Sequence, residues 1–180
     1  MLSTAEQRTA TVVPAAVTEF SRTGYLGTPI ASVAARAKIS SAYVFKLFPS
    51  KERLFVAALD DCFDRVIAAL ERGADAASSQ SPDDVLDAMG LAYAELIADR
   101  ELLMLQVHAQ SAADVPEIGD ALRRGLERVT TYASSRSRAD AKAVQRFIAY
   151  GQLCHLIVTT GLDEQPGEWA SILTDGIRHP

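Results

Sequence analysis

The chain has 180 residues, of which 48% are hydrophobic, and its net charge at pH 7 is −5. This is enough apolar material for one substantial core, or for a small module joined to a larger one, and the charge excludes a protein that binds polyanions over its whole surface. The charge is uneven, because residues 1–60 carry seven Lys and Arg against four Asp and Glu. That local excess predicts that the N-terminal part of the chain meets an anion.

Cysteine content and hydropathy indicate the compartment. The two cysteines, Cys62 and Cys154, lie far apart in the sequence, and the first ten residues do not resemble a secretory leader. No apolar run approaches the roughly 18 residues that a membrane-spanning helix needs. We therefore expect a cytoplasmic protein with reduced thiols and no membrane association.

The first two helices are indicated by their boundaries. The first ends near Gly24, with Pro14 either in its first turn or at a kink. Thr28 is typical of an N-cap and Pro29 of a first helical residue, so a second helix is predicted to begin there. Helical periodicity continues to the end of the chain and no alternating strand pattern is found, which predicts an all-α fold. The later helices are expected at 51–72, 81–99, 101–112, 116–138, 140–161 and 166–177.

Residues 41–47 are predicted to form a short third helix. Three short helices, with a turn of three or four residues between the second and third, are typical of a helix-turn-helix. The apolar face of this third helix is formed by Val44, Leu47 and Phe48. Its opposite face carries small, basic and aromatic side chains, namely Ala42 and Lys46 flanked by Tyr43 and Phe45. A face of this kind suits a DNA major groove better than bulk water.

Each of these residues has a proposed contact. Ala42 allows close approach to a thymine methyl, and Lys46 pairs with a phosphate or a guanine. Lys51 opens the next helix, where a positive charge is unfavourable unless a phosphate binds there, and Thr28 is expected to bind a second phosphate in the same way. The alternatives that stay open are Phe45 as a core residue, Lys46 and Arg53 as solvated charges, and Ser40 as a helix cap only.

The N-terminal part resembles the DNA-binding module of the tetracycline-repressor (TetR) family. The shared pattern includes Gly24-Tyr25, Thr28, Ile39-Ser40, Phe48 and Ser50-Lys51-Glu52-Arg53-Leu54, with Ala15-Ala16 and Phe20 in the first helix. It covers about a quarter of the chain. The resemblance implies that Thr28, Ser40, Ser41, Ala42, Tyr43, Phe45, Lys46 and Lys51 contact DNA.

Two positions depart from the family pattern. Lys38 stands where the family usually has glycine, and Phe45 stands where it has a tyrosine. The family tyrosine gives its hydroxyl to a phosphate, which a phenylalanine cannot do. Tyr43, two residues earlier, is a candidate substitute.

The resemblance also implies the roles of the two domains. Residues 1–60 would form the helix-turn-helix DNA-binding domain and residues 61–180 a helical ligand-binding and dimerisation bundle. The predicted helix 140–161 is apolar on nearly all sides, so other helices must pack against every face of it. Either a second copy of the chain covers one face, or the helix is the buried central helix of a monomer. The expected dimer interface consists of Gly151, Leu153, Ile157, Val158, Trp169 and Ile172.

A ligand pocket is expected between the helices of the second domain. The candidate lining residues are Met89, Tyr93, Met104, His108, Phe147, Tyr150 and Cys154, although each of them also fits a plain core. They favour an apolar or aromatic ligand. No spacing of His, Cys or carboxylates indicates a metal, and no cofactor loop or catalytic triad is recognisable, so no metal, no cofactor and no enzymatic activity are expected.

The sequence therefore predicts a homodimeric transcriptional regulator. Its partners would be a palindromic double-stranded DNA operator, a second copy of itself and a small-molecule effector that releases it from DNA, which makes it a repressor. The alternative is a ligand-binding or scaffold protein that keeps the helix-turn-helix only as structure.

Overall fold

The computed structural model describes the backbone of residues 4–176 and the side chains from residue 8 onward, and all regular structure in that range is helical. None of the helices within it is long and apolar enough to cross a membrane. A 3₁₀ turn, Leu162–Glu164, precedes the last helix. In chain order the α-helices are α1 Thr4–Gly27, α2 Ile30–Arg36, α3 Ser41–Leu47, α4 Lys51–Asp75, α5 Pro82–Ile97, α6 Arg100–Ser111, α7 Pro116–Ser137, α8 Ala141–Thr160 and α9 Glu168–Thr174.

Side-chain caps set several helix starts, and these starts agree with the sequence. The Ser40 hydroxyl accepts the Tyr43 amide at the start of α3, and Ser81 accepts the Asp84 amide at the start of α5. Asp140 accepts the Ala143 amide at the start of α8 in the same way. Each cap satisfies an amide that has no partner within its helix. The predicted capping role of Ser40 is thereby confirmed.

Two helices at the N-terminus begin or end differently from the sequence prediction. Pro14 lies inside α1, well after its first turn, and the regular helix instead breaks at Gly24, where φ is 71° and ψ is −178°. Pro29 has an extended backbone and stands just before α2, which therefore begins at Ile30. At the other end of the chain, α9 is shorter than the predicted helix, whose last residue, Ile177, lies outside the described residues.

The first of two packing units combines residues up to 64 with residues 100–125. Its core includes an edge-on contact of Phe20 with Phe55, whose ring centroids are 4.8 Å apart. Helix α6 packs along α1, and the Thr18 hydroxyl donates to Glu101 across that contact at 2.8 Å. The Cys62 thiol lies 3.5 Å from the Leu102 carbonyl. The packing unit is thus larger than the predicted domain 1–60, because α6 and part of α7 belong to it.

The second unit comprises residues 65–99 and the chain from residue 126 onward. Helices α4 and α5 approach closely at Gly73, where a Cβ atom would lie 2.5 Å from the Ala88 carbonyl. Arg136 on α7 ties down the end of α4, because its guanidinium donates to the Ala74 carbonyl at 3.2 Å and pairs with Asp75 at 3.3 Å. Helix α5 packs on α8, and α8 on α9.

Candidate nucleic-acid interface

The orientation of α3 is fixed by buried residues and by a compact turn. Val33 and Ala34 on α2 and Val44 on α3 are buried against the rest of the module. In the turn, the Lys38 amide donates to Ala35 and the Ile39 amide donates to Ala34. This pair of hydrogen bonds is the Schellman pattern that ends many α-helices. The three N-terminal helices therefore pack into one helix-turn-helix module, with α2 and α3 joined by this turn.

The face of α3 that points away from this core carries the predicted DNA contacts. Ala42 and Lys46 are exposed, and Phe45 is 48% exposed, which excludes its alternative role as a core residue. Tyr43 is half-buried, with the Lys46 ammonium 5.9 Å from its ring centroid. The structure thus presents a small, a basic and two aromatic side chains on one short helix.

Lys51 at the start of α4 has a structural explanation within the chain itself. Its ammonium lies 4.9 Å from the ring centroid of Tyr25 and 3.3 Å from the Leu26 carbonyl. Partial burial lowers the pKa of Lys51. Ser50 caps the helix, since its hydroxyl accepts the Arg53 amide. The cation–π contact and the carbonyl acceptor hold the Lys51 ammonium in place and offset part of the cost of its burial.

Tyr25 also binds the residue next to Lys51. Its hydroxyl donates to the Glu52 carboxylate at 2.5 Å. That hydrogen bond raises the pKa of Tyr25 to about 12 and lowers the pKa of Glu52. The sequence pattern contained both residues, but their separation of 27 positions gave no sign that they meet. Together, Tyr25, Lys51 and Glu52 fasten the start of α4 to the end of α1.

Thr28 has a different role from the predicted one. It is 1% exposed, and its hydroxyl donates to the Gly24 carbonyl at 2.7 Å, with the Thr23 hydroxyl at the same distance. The Gly24 carbonyl needs this partner because the helix breaks there. We therefore correct the expected phosphate contact of this hydroxyl and assign Thr28 a positioning role at the end of α1.

The surface of the module is positively charged. Both carboxylates between residues 8 and 58 are engaged internally, Glu52 with Tyr25 and Glu19 with Arg36, whose ion pair is 2.6 Å long. The exposed cations without an ion pair among the described residues include Arg22, Lys38, Lys46 and Arg53. An anionic partner would therefore meet cations that the chain itself leaves unneutralised.

The predicted ligand-binding residues do not form one cluster within either unit. Met104 and His108 belong to the first unit, where the His108 ring lies beside Gly24. The other five belong to the second unit, but Tyr150 is exposed there. Met89 is fully buried and Cys154 nearly so. Phe147 is half-buried and lies near Gly90.

His155 is a buried polar residue of the second unit and was not among the predicted site residues. Its Nε2 atom lies 2.6 Å from the Tyr93 hydroxyl, and its Nδ1 atom has no hydrogen-bond partner among the described residues. Burial lowers the pKa of His155 to about 4, so the imidazole is neutral at pH 7. A single histidine in an apolar helix carries no spacing signal, and only its contact with α5 distinguishes it.

The predicted dimer surface needs one correction. Ile157 is fully buried within its own chain, so it is not available to a second copy. Trp169 and Ile172 on α9 are 55% and 72% exposed. Leu156 is 49% exposed and was not among the predicted interface residues. Tyr150 is 56% exposed, although it was predicted to line the pocket. Gly151, Leu153 and Val158 are half-buried.

Comparison with family models identifies the N-terminal module. A model described as bacterial regulatory proteins, tetR family, matches residues 12–58. The match runs from within α1 to the first part of α4 and contains the whole helix-turn-helix. A comparison with curated proteins finds no matching relative.

Solved structures resemble the chain over nearly its whole length. A TetR-family transcriptional regulator from Agrobacterium tumefaciens has a TM-score of 0.71 at 16% identity, with 97% of this chain and 95% of that chain covered. The regulator FadR from Bacillus subtilis, solved with stearoyl-CoA, has a TM-score of 0.71 at 13% identity, with 94% and 99% covered. A TetR-like regulator from Rhodococcus sp. RHA1 has a TM-score of 0.68 at 21% identity, with 96% and 94% covered. At these identities the similarity establishes a shared fold.

Proposed function

We propose that this chain, whose residues 12–58 match the tetR family of bacterial regulatory proteins, is a homodimeric transcriptional repressor that a small molecule releases from a palindromic DNA operator. The observation that carries this proposal is the outward face of α3, where Ala42, Phe45 and Lys46 are exposed on a helix whose other face is buried at Val44. A repressor of bacterial genes acts where the DNA is, so a cytoplasmic location is part of this proposal.

In this proposal α3 enters the major groove. Ala42 faces the base edges, Lys46 binds a guanine or a phosphate, and Phe45 packs against apolar groups of the groove. Ser40, Ser41 and Tyr43 lie at the start of the same helix, where hydroxyls contact the phosphate backbone. Lys51 is only half-buried, so its ammonium can bind a phosphate in addition to contacting the Tyr25 ring and the Leu26 carbonyl.

Dimerisation is supported by the exposed apolar side chains of α8 and α9. Tyr150 and Leu156 on α8 and Trp169 and Ile172 on α9 present large apolar groups to solvent in the single chain. A two-fold pairing of these helices would cover them and set two copies of α3 on one face of DNA. Half-sites of the operator would then lie roughly 34–36 Å apart, or a multiple of that distance.

The second unit is the proposed effector site. FadR from Bacillus subtilis, which shares the fold, was solved with stearoyl-CoA. In this chain the half-buried Tyr93 and Phe147 and the neutral His155 give the unit an apolar interior with one polar pair. An apolar or aromatic effector fits that composition. Helix α4 runs from one unit into the other, so a displacement of α4 is the proposed route to the DNA-binding module.

Selection of bound duplexes from a randomised library, followed by footprinting, tests the DNA-binding role. We expect enrichment of an inverted repeat. Ala42→Leu should abolish specific binding by bulk while thermal unfolding stays unchanged, because Ala42 is exposed. Ala141→Leu, an exposed alanine of α8, is the matched control and should bind normally. If the wild-type protein enriched no sequence, the helix-turn-helix would be structural only and the scaffold alternative would hold.

A further inference from the structure

The turn between α2 and α3 contains a lysine in an unusual backbone conformation. Lys38 has φ of +56°, in the left-handed region that glycine adopts without steric cost. Its amide donates to the Ala35 carbonyl at 3.1 Å, and the Ile39 amide donates to the Ala34 carbonyl at 3.0 Å. Lys38 therefore occupies the position just after the helix where the Schellman motif favours glycine.

Among the residues that the structure describes, no side-chain contact compensates for this conformation. The Lys38 side chain is exposed, and among the described residues it makes no hydrogen bond, ion pair or ring contact. The one internal gain available to it is the favourable interaction of a cation with the C-terminal end of the α2 dipole. That gain belongs equally to Arg36, which stands in the last turn of α2 and pairs with Glu19. No contact with the described residues therefore explains why this position carries a lysine.

The location of Lys38 suggests an external partner. It lies two residues before Ser40, the cap of α3, and four residues before the exposed Ala42. The two carboxylates of the module are engaged with Arg36 and Tyr25, so neither neutralises the lysine. Its charge remains available at the edge of the surface that carries Lys46.

We propose that Lys38 is a phosphate-binding residue of the DNA interface and that it contacts the phosphodiester backbone beside the groove that α3 enters. This inference rests on the proposed DNA-binding function and deepens it. The lysine keeps a strained backbone at the turn because its ammonium gains an ion pair with DNA. Since phosphates carry no base identity, the contact should act on every sequence alike.

The test compares Lys38→Gly and Lys38→Arg with the wild-type protein on a random-sequence 30-base-pair duplex over a range of salt concentrations. Lys38→Gly should raise Tm by about 2–4 °C, because the strain is removed. It should also weaken DNA binding several-fold and reduce the slope of log K against log salt by about one. Lys38→Arg should keep the wild-type slope and show no rise in Tm. Opposite changes in stability and affinity are not expected from a purely structural role.

Two controls make the outcome decisive. Lys38→Asn tolerates the left-handed backbone without the charge, so it should lose the same DNA affinity as Lys38→Gly. Lys142→Ala removes one exposed cation from α8 in the second unit and should leave affinity and slope unchanged. A Lys38→Gly variant with raised Tm and wild-type affinity and slope would overturn the inference while leaving the DNA-binding function intact. A wild-type protein that binds no duplex at any salt concentration would overturn both.

Discussion

Tyr25 connects two parts of the DNA-binding module through two chemically different contacts. Its hydroxyl donates to Glu52, and its ring lies under the Lys51 ammonium. Because both partners open α4, one side chain at the end of α1 fixes the start of the helix that leads into the second unit. Lys51, a cation at a helix N-terminus, is therefore part of a local packing arrangement.

Tyr25→Phe should separate these two contacts. The ring and its cation–π contact remain, whereas Glu52 loses its donor. We expect the free energy of unfolding to fall by about 1 kcal/mol. The lost hydrogen bond involves a charged carboxylate, but its partial exposure to water weakens it. The lowered pKa of Glu52 means that this stabilisation is present above the usual glutamate pKa and is lost as pH falls through the lowered one.

Urea unfolding at several pH values measures this difference. The gap between the wild-type and Tyr25→Phe proteins should be largest at neutral pH and should close in acid. A gap that stayed constant with pH would show that the hydroxyl stabilises the fold without acting through the carboxylate.

At the scale of helices, the junction of α1 with α6 depends on a glycine. Gly24 has φ of 71° and ψ of −178°, a backbone conformation that residues other than glycine rarely adopt. A Cβ atom there would lie 2.9 Å from the His108 ring on α6. The same glycine ends the regular part of α1 and frees the carbonyl that Thr28 binds. Gly24 thus ends the regular part of α1 and also leaves room for the His108 ring of α6.

Gly24→Ala should be strongly destabilising, by about 3 kcal/mol, because backbone strain and the contact with His108 act together. Gly161→Ala is the matched control, since Gly161 also has a positive φ, of 64°, but nothing lies within 4 Å of its added Cβ. It should cost only about 1 kcal/mol. Equal losses for the two variants in thermal and urea unfolding would mean that α6 moves aside at no cost.

These helices also show what the sequence does and does not reveal. The bounds of α3 and the start of α5 were predictable because a serine cap marks each of them locally. The role of Thr28 was not, because its hydroxyl binds a carbonyl that the break at Gly24 sets free. Ile157 was assigned to the wrong surface because a helix that is apolar on all sides has no periodicity to indicate its covered face. The packing of residues 100–125 with the N-terminal helices was also not predictable, because it depends on contacts between residues far apart in the sequence.

At the scale of the whole molecule, the exposed apolar residues of α8 and α9 determine the expected assembly. Leu156→Glu should yield a folded monomer, because Leu156 is largely exposed within a single chain but would place a carboxylate in the proposed interface. Ile157→Glu should unfold the second unit instead, since Ile157 is fully buried in its own chain. Sedimentation velocity and circular dichroism on the same samples distinguish these outcomes.

Leu126→Glu is the control for this pair. Leu126 on α7 is another exposed large apolar residue, and its substitution should leave the dimer intact. A Leu156→Glu protein that sediments like the wild type would exclude α8 from the interface. A loss of specific DNA binding that accompanies dissociation would link assembly to recognition.

The packing of α6 against α1 has a consequence for synthesis on the ribosome. Helix α3 and the start of α4 have been synthesised by residue 64, but α6, which packs against α1, extends to Ser111. At roughly 5–20 residues per second, translation of the intervening segment takes several seconds. During that time the nascent chain carries the three N-terminal helices without α6, and the apolar face of α1 is open to chaperones. The rate at which residues 65–111 are translated thus sets how long this face stays uncovered.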